Sequence, residues 1–151
     1  MHRNDYVLEK DRLNESRVFR DPIHRYIHIY HLPFWQLINT KEMQRLRRIH
    51  QLGGTHQVYQ TAEHTRFPHS LGVYEVVLND YERLSVLCAA LLHDVGHGPF
   101  SHSFEHVFAV SHEDFTRRII LDPGTEVNQV LTSYHPKLPE DVASIIEKTH
   151  P

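Results

Sequence analysis

A histidine and an aspartate stand side by side in this chain, as His93 and Asp94, and another histidine, His69, lies upstream. Imidazole nitrogens and carboxylate oxygens are ligands that Zn, Fe and Mn accept in proteins. Such an ion can polarise a phosphoryl oxygen and supply hydroxide near neutral pH. A histidine and an aspartate at the end of an apolar run add little to a hydrophobic core, but they can bind a metal ion. We therefore interpret His69, His93 and Asp94 as ligands of one divalent metal.

Two further histidines, His97 and His102, follow glycines that let the backbone approach a neighbour closely. An imidazole near its usual pKa is a natural general acid or base, and it can also bind phosphate. Each of the two could equally cap a helix near these glycines, and spacing alone leaves both interpretations open. Glu105 and His112 are candidate partners that would orient them, although acidic residues in the first turns of a helix are often only solvated.

Arginines supply the candidate anion contacts. Arg66 lies three residues before His69 and could reach a phosphate from the rim of the site. The group Arg45, Arg47 and Arg48 is typical of an exposed helix face, though a second nucleotide could use it. The sequence contains no Gly-rich phosphate loop, no dinucleotide-binding fingerprint and no Cys-x-x-Cys pair, which argues against kinases, P-loop enzymes and zinc ribbons.

A helical hairpin is the element that must bring the metal ligands together. Apolar spacing predicts helices over residues 69–78 and 83–95, joined by a turn at Asn79-Asp80. At about 1.5 Å per residue, His69 and His93 each lie roughly 15 Å from that turn, so antiparallel helices place them side by side. Asp94 follows His93 by about 100° around the helix axis, close enough to face the same ion.

The remaining periodicity predicts an all-α fold with a small β-hairpin near the N-terminus. Helices are predicted over residues 40–50, 101–108, 112–121, 126–134 and 139–148, and strands over 26–30 and 58–61. Thr40 is the expected N-cap of the first of these helices, and Gly53-Gly54 follow its end. Residues 1–16 are charged and aperiodic, which indicates an N-terminal arm, and residues 17–151 would form one domain.

Composition excludes several classes of protein. The chain has 151 residues, of which 40% are hydrophobic, and this suits one soluble domain. A formal net charge of -3 gives no global field for nucleic acid or membranes, so an anionic ligand must be recognised locally. A single cysteine, Cys88, and the lack of a signal-like N-terminal stretch predict a reducing, cytoplasmic location.

Four segments in this order resemble the HD-domain phosphohydrolases, and among them the deoxynucleoside triphosphate (dNTP) triphosphohydrolases. These segments are residues 19–24, 44–53, 66–73 and 92–102, and the resemblance spans about Val18 to Lys148. It implies an all-helical metal domain that hydrolyses a dNTP to the deoxynucleoside and inorganic triphosphate, by attack of water at the α-phosphorus. The cofactor implied is one divalent ion, which could be Zn, Fe, Mn or Mg.

The resemblance also implies roles for single residues. His69, His93 and Asp94 would bind the metal. His97 would contact the phosphates, and His102 would protonate the leaving 5′ oxygen with Glu105 and His112 as its network. Arg66 would bind phosphate, while Gln51 and Leu52 would lie against the sugar, where a 2′-hydroxyl is disfavoured.

Members of this family commonly assemble as nucleotide-bound tetramers, so a homo-oligomer, dimer or tetramer, and an activating nucleotide are expected partners. Gln44 and Arg47 would then contact the regulatory nucleotide. Asn39 stands where a family member carries an aspartate that reads guanine, and the base preference of such a site is left open. No membrane partner is expected, and nucleic acid is not favoured.

The sequence departs from the family in two places. A later aspartate-rich segment that supplies a fourth metal ligand does not occur before Pro151, so the chain is expected to be a fragment or a truncated form. The link at Asn79 to Tyr81 is also shorter than usual. Two alternatives stay open: an HD phosphohydrolase of other specificity, such as a nucleotide phosphomonoesterase or phosphodiesterase, and a non-catalytic nucleotide-binding or assembly module.

Overall fold

The structure, a computed structural model, describes residues 8–79, 83–100 and 102–148, with the side chains of residues 103, 104 and 148 left out. Helices dominate this described part, and the predicted all-α class with a small N-terminal hairpin is confirmed. The strands are β1 (Arg12–Asp21) and β2 (Arg25–His31). The helices are α1 (Leu32–Ile38), α2 (Lys41–Arg45), α3 (Arg66–Leu78), α4 (Leu84–Leu92), α5 (His102–Phe108), α6 (His112–Leu121), α7 (Glu126–Tyr134) and α8 (Leu138–Lys148). Short 3-10 turns lie at Leu8–Asp11, Leu46–Arg48 and Gly53–Gln57.

Helix α4 lies at the centre of the core. Its sequence is apolar on every side, as expected of a helix that is surrounded by others, and Leu87, Leu91 and Leu92 have no exposed surface. It packs against α3 on one side and α8 on another, while α6 packs against α8 and α1 against α7. No helix among the described residues is both long and apolar enough to cross a membrane.

The β-hairpin differs from the prediction in its partner strand. β2 pairs antiparallel with β1, with Asp21 opposite Arg25, and Asp21 Oδ1 accepts hydrogen bonds from two amides of the connecting turn. The predicted strand at 58–61 is wrong, because Val58 and Tyr59 are exposed and their amides bond back to the Thr55 carbonyl in a turn. Residues 12–16, which we expected in the N-terminal arm, belong to β1. The boundary of the arm stays a prediction, since residues 1–7 lie outside the described part.

Helix α2 begins as predicted and ends early. Thr40 Oγ1 accepts a hydrogen bond from the Met43 amide, which confirms the N-cap. The helix was expected to reach residue 50, but it ends at Arg45 and tightens into a 3-10 turn. The chain must then become extended, because Ile49 accepts a hydrogen bond from the Arg66 amide at 2.8 Å and His50 pairs with Thr65. This crossing ties the segment around residue 50 to the start of α3.

The other helices follow the predicted spacing closely. α6 and α7 have the predicted bounds, and α8 begins at Leu138, one residue early. α4 ends at Leu92, three residues before the predicted end, so that residues 93–96 form a turn. Helix α1 was not predicted, although Phe34, Leu37 and Ile38 have helical spacing after a proline in the first turn, and all three side chains are buried.

Candidate metal centre and the adjoining histidine network

The hairpin of α3 and α4 brings the three predicted metal ligands together. His69 lies in the first turns of α3, and His93 is the C-cap of α4. The two Nε2 atoms are 3.3 Å apart, and Asp94 Oδ2 lies 3.6 Å from Nε2 of His69 and 3.5 Å from Nε2 of His93. Four tetrahedral ligands at about 2.1 Å from an ion are separated by about 3.4 Å. The three donor atoms therefore have the spacing of one face of such a site.

The backbone fixes which nitrogen of His93 faces the triad. Nδ1 of His93 lies 2.8 Å from the Ala90 carbonyl oxygen and donates its hydrogen to it, which leaves the lone pair on Nε2. Metal-binding histidines are usually oriented by such a bond from their second nitrogen. Burial also lowers the pKa of His69 from its ordinary 6.5, so the neutral, ligating form is favoured at neutral pH.

Asp94 connects the triad to the rest of the site. Burial alone raises the pKa of this carboxyl, but the hydrogen bond with His97 and the charges of His93 and Arg66 outweigh burial and hold the pKa well below its usual range. Arg66 Nη1 donates to Oδ2 at 2.7 Å, and Nε2 of His97 lies 3.3 Å from Oδ1. The carboxylate is thus ionised, oriented on both sides and able to bind a cation.

Arg66 occupies a different place from the predicted one. Its guanidinium was expected at the rim of the site, but the residue is only 3% exposed and its side chain contacts Asp94 and the Gln51 carbonyl. In this arrangement it orients the carboxylate rather than a phosphate. Its phosphate-binding role stays a prediction.

The four residues that we predicted to be catalytic form a second group. The rings of His97 and His112 stack, with centroids 3.8 Å apart and planes 15° apart, and His102 meets both edge-on. Glu105 lies between two of them: Oε1 is 2.6 Å from His112 Nδ1, and Oε2 is 3.3 Å from His102 Nδ1. Burial raises the pKa of Glu105, but its hydrogen bonds to His112 and His102 outweigh this and lower it. The structure therefore assembles these residues into one network around an ionised carboxylate.

Two groups of described residues could hold a metal ion by proximity, the triad of His69, His93 and Asp94 and the three histidines of the second group. The lone pair of an imidazole nitrogen lies in the plane of its ring. Because the rings of His97 and His112 are stacked and nearly parallel, their lone pairs cannot both point at one ion. The triad has the more suitable donor set, and we take it as the candidate metal centre.

Several buried polar atoms near these groups have no hydrogen-bond partner among the described residues. They include Nδ1 of His97, a residue that is 1% exposed, and Oε1 of Gln51. Buried polar atoms are usually paired, so an unpaired one indicates a missing partner such as water or a ligand. Leu52, the other predicted sugar contact, is 52% exposed next to Gln51.

The predicted regulatory residues do not line one pocket. Asn39 lines a cavity of about 570 Å³ between α1 and α7, and its side chain donates to the Trp35 carbonyl. Arg47 lines a separate cavity of about 340 Å³ and lies 3.9 Å from the centre of the Phe67 ring. Gln44 accepts a hydrogen bond from Arg47. The structure thus joins two of the three residues and separates Asn39 from Arg47.

Two residues at the site were missed by sequence reasoning. Arg45, interpreted as part of an exposed helix face, donates at 2.7 Å to each of two carbonyls, those of Val95 and His97. Thr116 is fully buried and hydrogen-bonds the turn that carries His93. Both residues contact backbone atoms that only the fold brings close. The spacing of residue types in the sequence does not indicate such contacts, so neither could be predicted.

The segment that carries both groups matches a known family. Residues 66–151, more than half of the chain, match the HD domain, and the chain belongs to the HD domain family. HD domains bind divalent metals, in agreement with the geometry of the triad. The family match begins at Arg66, so Arg45 and Gln51 lie before it.

Several relatives resemble the chain over most of its length. It is 55% identical to the uncharacterised protein YwfO of Bacillus subtilis, over 92% of this chain and 35% of that protein. It is 36% identical to the deoxynucleoside triphosphate triphosphohydrolase SAMHD1 of Gallus gallus, over 87% of this chain and 25% of that protein. A solved structure of a hypothetical protein from Aquifex aeolicus superposes with a TM-score of 0.76 at 37% identity, covering 88% of this chain and 38% of that one. The chain thus spans about a quarter to a third of these curated relatives.

Proposed function

We propose that this chain carries the metal-binding and phosphate-facing residues of an enzyme that hydrolyses dNTPs to deoxynucleosides and inorganic triphosphate. One observation supports this most strongly: the Asp94 carboxylate joins a triad suited to a divalent metal to a histidine network suited to proton transfer. A metal ion that polarises a phosphoryl oxygen and a side chain that transfers a proton each accelerate the hydrolysis of a phosphate ester. The similarity to relatives named as dNTP triphosphohydrolases supports the choice of substrate.

His69, His93 and Asp94 would hold the ion, whether Zn, Fe, Mn or Mg. An ion bound there would polarise a phosphoryl oxygen and favour ionisation of water near neutral pH. Asp94 contributes the negative charge of the triad, and Arg66 keeps that carboxylate oriented from the buried side. The pairing with Arg66 also disfavours protonation of the carboxylate, which would remove its ability to bind a cation.

His102 is the candidate proton donor to the leaving 5′ oxygen. Its side chain is 63% exposed, and its Nδ1 lies against the Glu105 carboxylate, which leaves Nε2 as the nitrogen for the substrate. His112 shares the same carboxylate and stacks on His97, the residue proposed to contact the phosphates.

The sugar contact is proposed for Gln51 and Leu52. Gln51 Oε1 is buried and has no hydrogen-bond partner among the described residues, so it can accept a hydrogen bond from a sugar hydroxyl. The exposed Leu52 would offer an apolar surface at the 2′ carbon. Burying an additional 2′-hydroxyl against that surface without a partner is unfavourable, which would select deoxyribose.

A cytoplasmic, nucleotide-regulated homo-oligomer, dimer or tetramer, is part of the same proposal. Gln44 and Arg47, which hydrogen-bond to each other, are the residues proposed to contact the activating nucleotide. Asn39, which lines a separate cavity, is the third residue proposed for this role. The rival function is a phosphohydrolase of the same family that cleaves another bond, and the product distinguishes the two.

The test is to incubate the chain with the four dNTPs and Mn or Mg, and to assay the products by ion chromatography. We expect inorganic triphosphate and deoxynucleoside in equal amounts, and loss of both with His93→Ala. His106→Ala, which removes an exposed histidine of α5, is the matched control and retains activity. Release of single phosphate or pyrophosphate would favour the rival, and full activity of His93→Ala would exclude the triad.

A further inference from the structure

The turn after α4 is held by a residue that belongs to neither histidine group. The Gly96 amide donates to Thr116 Oγ1 at 3.0 Å, and the Thr116 hydroxyl lies 3.4 Å from the His93 carbonyl oxygen, to which it donates. Thr116 lies inside α6 and is fully buried. The Thr116 hydroxyl therefore connects His93, which precedes Asp94, with Gly96, which precedes His97.

Contact between the backbones of the turn and α6 makes this connection possible. A Cβ atom at Gly96 would lie 2.2 Å from the Thr116 amide nitrogen and 2.5 Å from the His112 carbonyl oxygen. No side chain fits in that space, so glycine is required for α6 to approach the turn. The hydroxyl of Thr116 then fixes the helix at this closest distance.

The contact also determines where His112 lies. His112 and Thr116 are four residues apart in α6, about one helical turn. Fixing Thr116 against the turn places the His112 ring on that of His97, at a centroid distance of 3.8 Å. Arg45, at the end of α2, also holds this turn through the carbonyls of Val95 and His97.

We propose that Thr116 is a positioning residue that sets the distance between the metal-binding triad and the His97–His112 ring stack. It touches no reacting atom and acts by fixing the Gly96 turn to α6. Its effect on turnover rests on the proposed function above, whereas its effect on the two rings does not.

Two substitutions separate this role from bulk packing. Thr116→Val keeps the shape and removes the hydroxyl, and Thr116→Ser keeps the hydroxyl. Thr132→Val, the same change at an exposed position of α7, is the matched control. The measurements are the imidazole signals in two-dimensional NMR spectra, bound metal per chain, the fraction folded, and kcat and KM for triphosphate release.

We expect Thr116→Val to shift the ring signals of His97 and His112, because their stacking changes. We expect kcat to fall about 10- to 100-fold, the range found when residues that orient metal ligands are altered, with KM nearly unchanged. Bound metal stays at the level of the unchanged chain. Thr116→Ser restores both the signals and kcat, and Thr132→Val alters neither.

The proposal is overturned if Thr116→Val leaves the two ring signals in place, or if Thr116→Ser fails to restore them. If the unchanged chain releases no triphosphate, the proposed function fails, and the NMR comparison still decides the role of Thr116. If Thr116→Val does not fold, Arg45→Lys replaces it, because lysine cannot span two carbonyls. Arg45→Lys must then shift the His97 signal, whereas Arg48→Lys must not. An unshifted His97 signal in Arg45→Lys would contradict the claim that hydrogen bonds to the Gly96 turn fix the position of the His97 ring.

Discussion

Both oxygens of the Asp94 carboxylate are engaged, and by different groups. Oδ2 lies between Arg66 and the two histidines of the triad, and Oδ1 faces His97. The charge of one residue therefore faces both candidate metal-binding histidines and connects them to the network of His97, His102, Glu105 and His112. Substitution of this residue should therefore lower both metal binding and stability.

Asp94→Asn preserves the size of the side chain and removes its charge. We expect bound metal to fall close to zero, and the unfolding free energy to drop by about 3–5 kcal/mol because the buried Arg66 loses its ionic partner. Metal analysis and urea denaturation give the two quantities. Asp141→Asn, at an exposed position of α8, should change neither, and undiminished metal content in Asp94→Asn would contradict the site.

Glu105 makes the stability dependent on pH in a defined direction. Its pKa in the folded chain is lowered from the ordinary 4.5 by its hydrogen bonds to His112 and His102, which outweigh the opposing effect of burial. A lowered pKa means that the stabilisation is fully present above pH 4.5 and is lost as the pH falls through the folded value. We expect the unchanged chain to be more stable than Glu105→Gln at pH 7, with the difference shrinking below pH 4.5 in urea titrations. A difference that grows as the pH falls would contradict the assignment.

At the scale of elements, the approach of α6 to the turn after α4 depends on one glycine. Gly96→Ala forces the two backbones apart, since the added Cβ would lie 2.2 Å from a backbone nitrogen. We expect a loss of about 1–3 kcal/mol or more in unfolding free energy, as for other overpacked positions. Gly98→Ala is the matched control because no atom lies within 4 Å of its added Cβ. Equal stability of the two variants would show that α6 is not held close.

The sequence predicted the helices that have a clear apolar pattern within their own residues. α3, α4, α6, α7 and α8 bury one face or all faces, so periodicity located them, and helix length alone placed His69 beside His93. β1 is charged and gains its structure from pairing with β2, so its residues carried no alternation to detect. The exposed pair Val58 and Tyr59 produced the wrong strand, because β-forming residue types also occur in turns.

Site prediction had the same limit. The types and spacing of His69, His93 and Asp94 were enough to predict that they converge, because two helices and one turn determine their distances. The contacts of Arg45 and Thr116 are made with backbone carbonyls and an amide, which are the same in every residue. Only the packed structure identifies such partners.

At the scale of the whole molecule, the site uses residues from both halves of the chain. The HD domain match begins at Arg66, yet Arg45 holds the metal-site turn and Gln51 accepts a hydrogen bond from Arg66. The net charge of -3 offers no general attraction for a nucleotide. Under the proposed function, recognition of phosphate would therefore come from the local histidines and arginines, and from the ion that the triad would hold.

The proposed regulation makes a prediction about assembly. We expect the sedimentation coefficient of the chain to rise when dNTPs are added, and Arg47→Ala to abolish that rise because Arg47, which donates to Gln44, is proposed to contact the activating nucleotide. Bound metal should not change. Arg48→Ala, which removes the neighbouring exposed arginine, should still assemble. Nucleotide-dependent assembly that survives Arg47→Ala would exclude this contact.

The most direct test of the account is hydrolysis of a dNTP by the metal-loaded chain in water enriched in oxygen-18, with mass spectrometry of the products. Attack of water at the α-phosphorus breaks the bond between phosphorus and the 5′ oxygen, so the label must enter the inorganic triphosphate and not the deoxynucleoside. We expect one labelled oxygen per triphosphate. Label in the deoxynucleoside, or labelled phosphate or pyrophosphate as the product, would contradict the proposed chemistry.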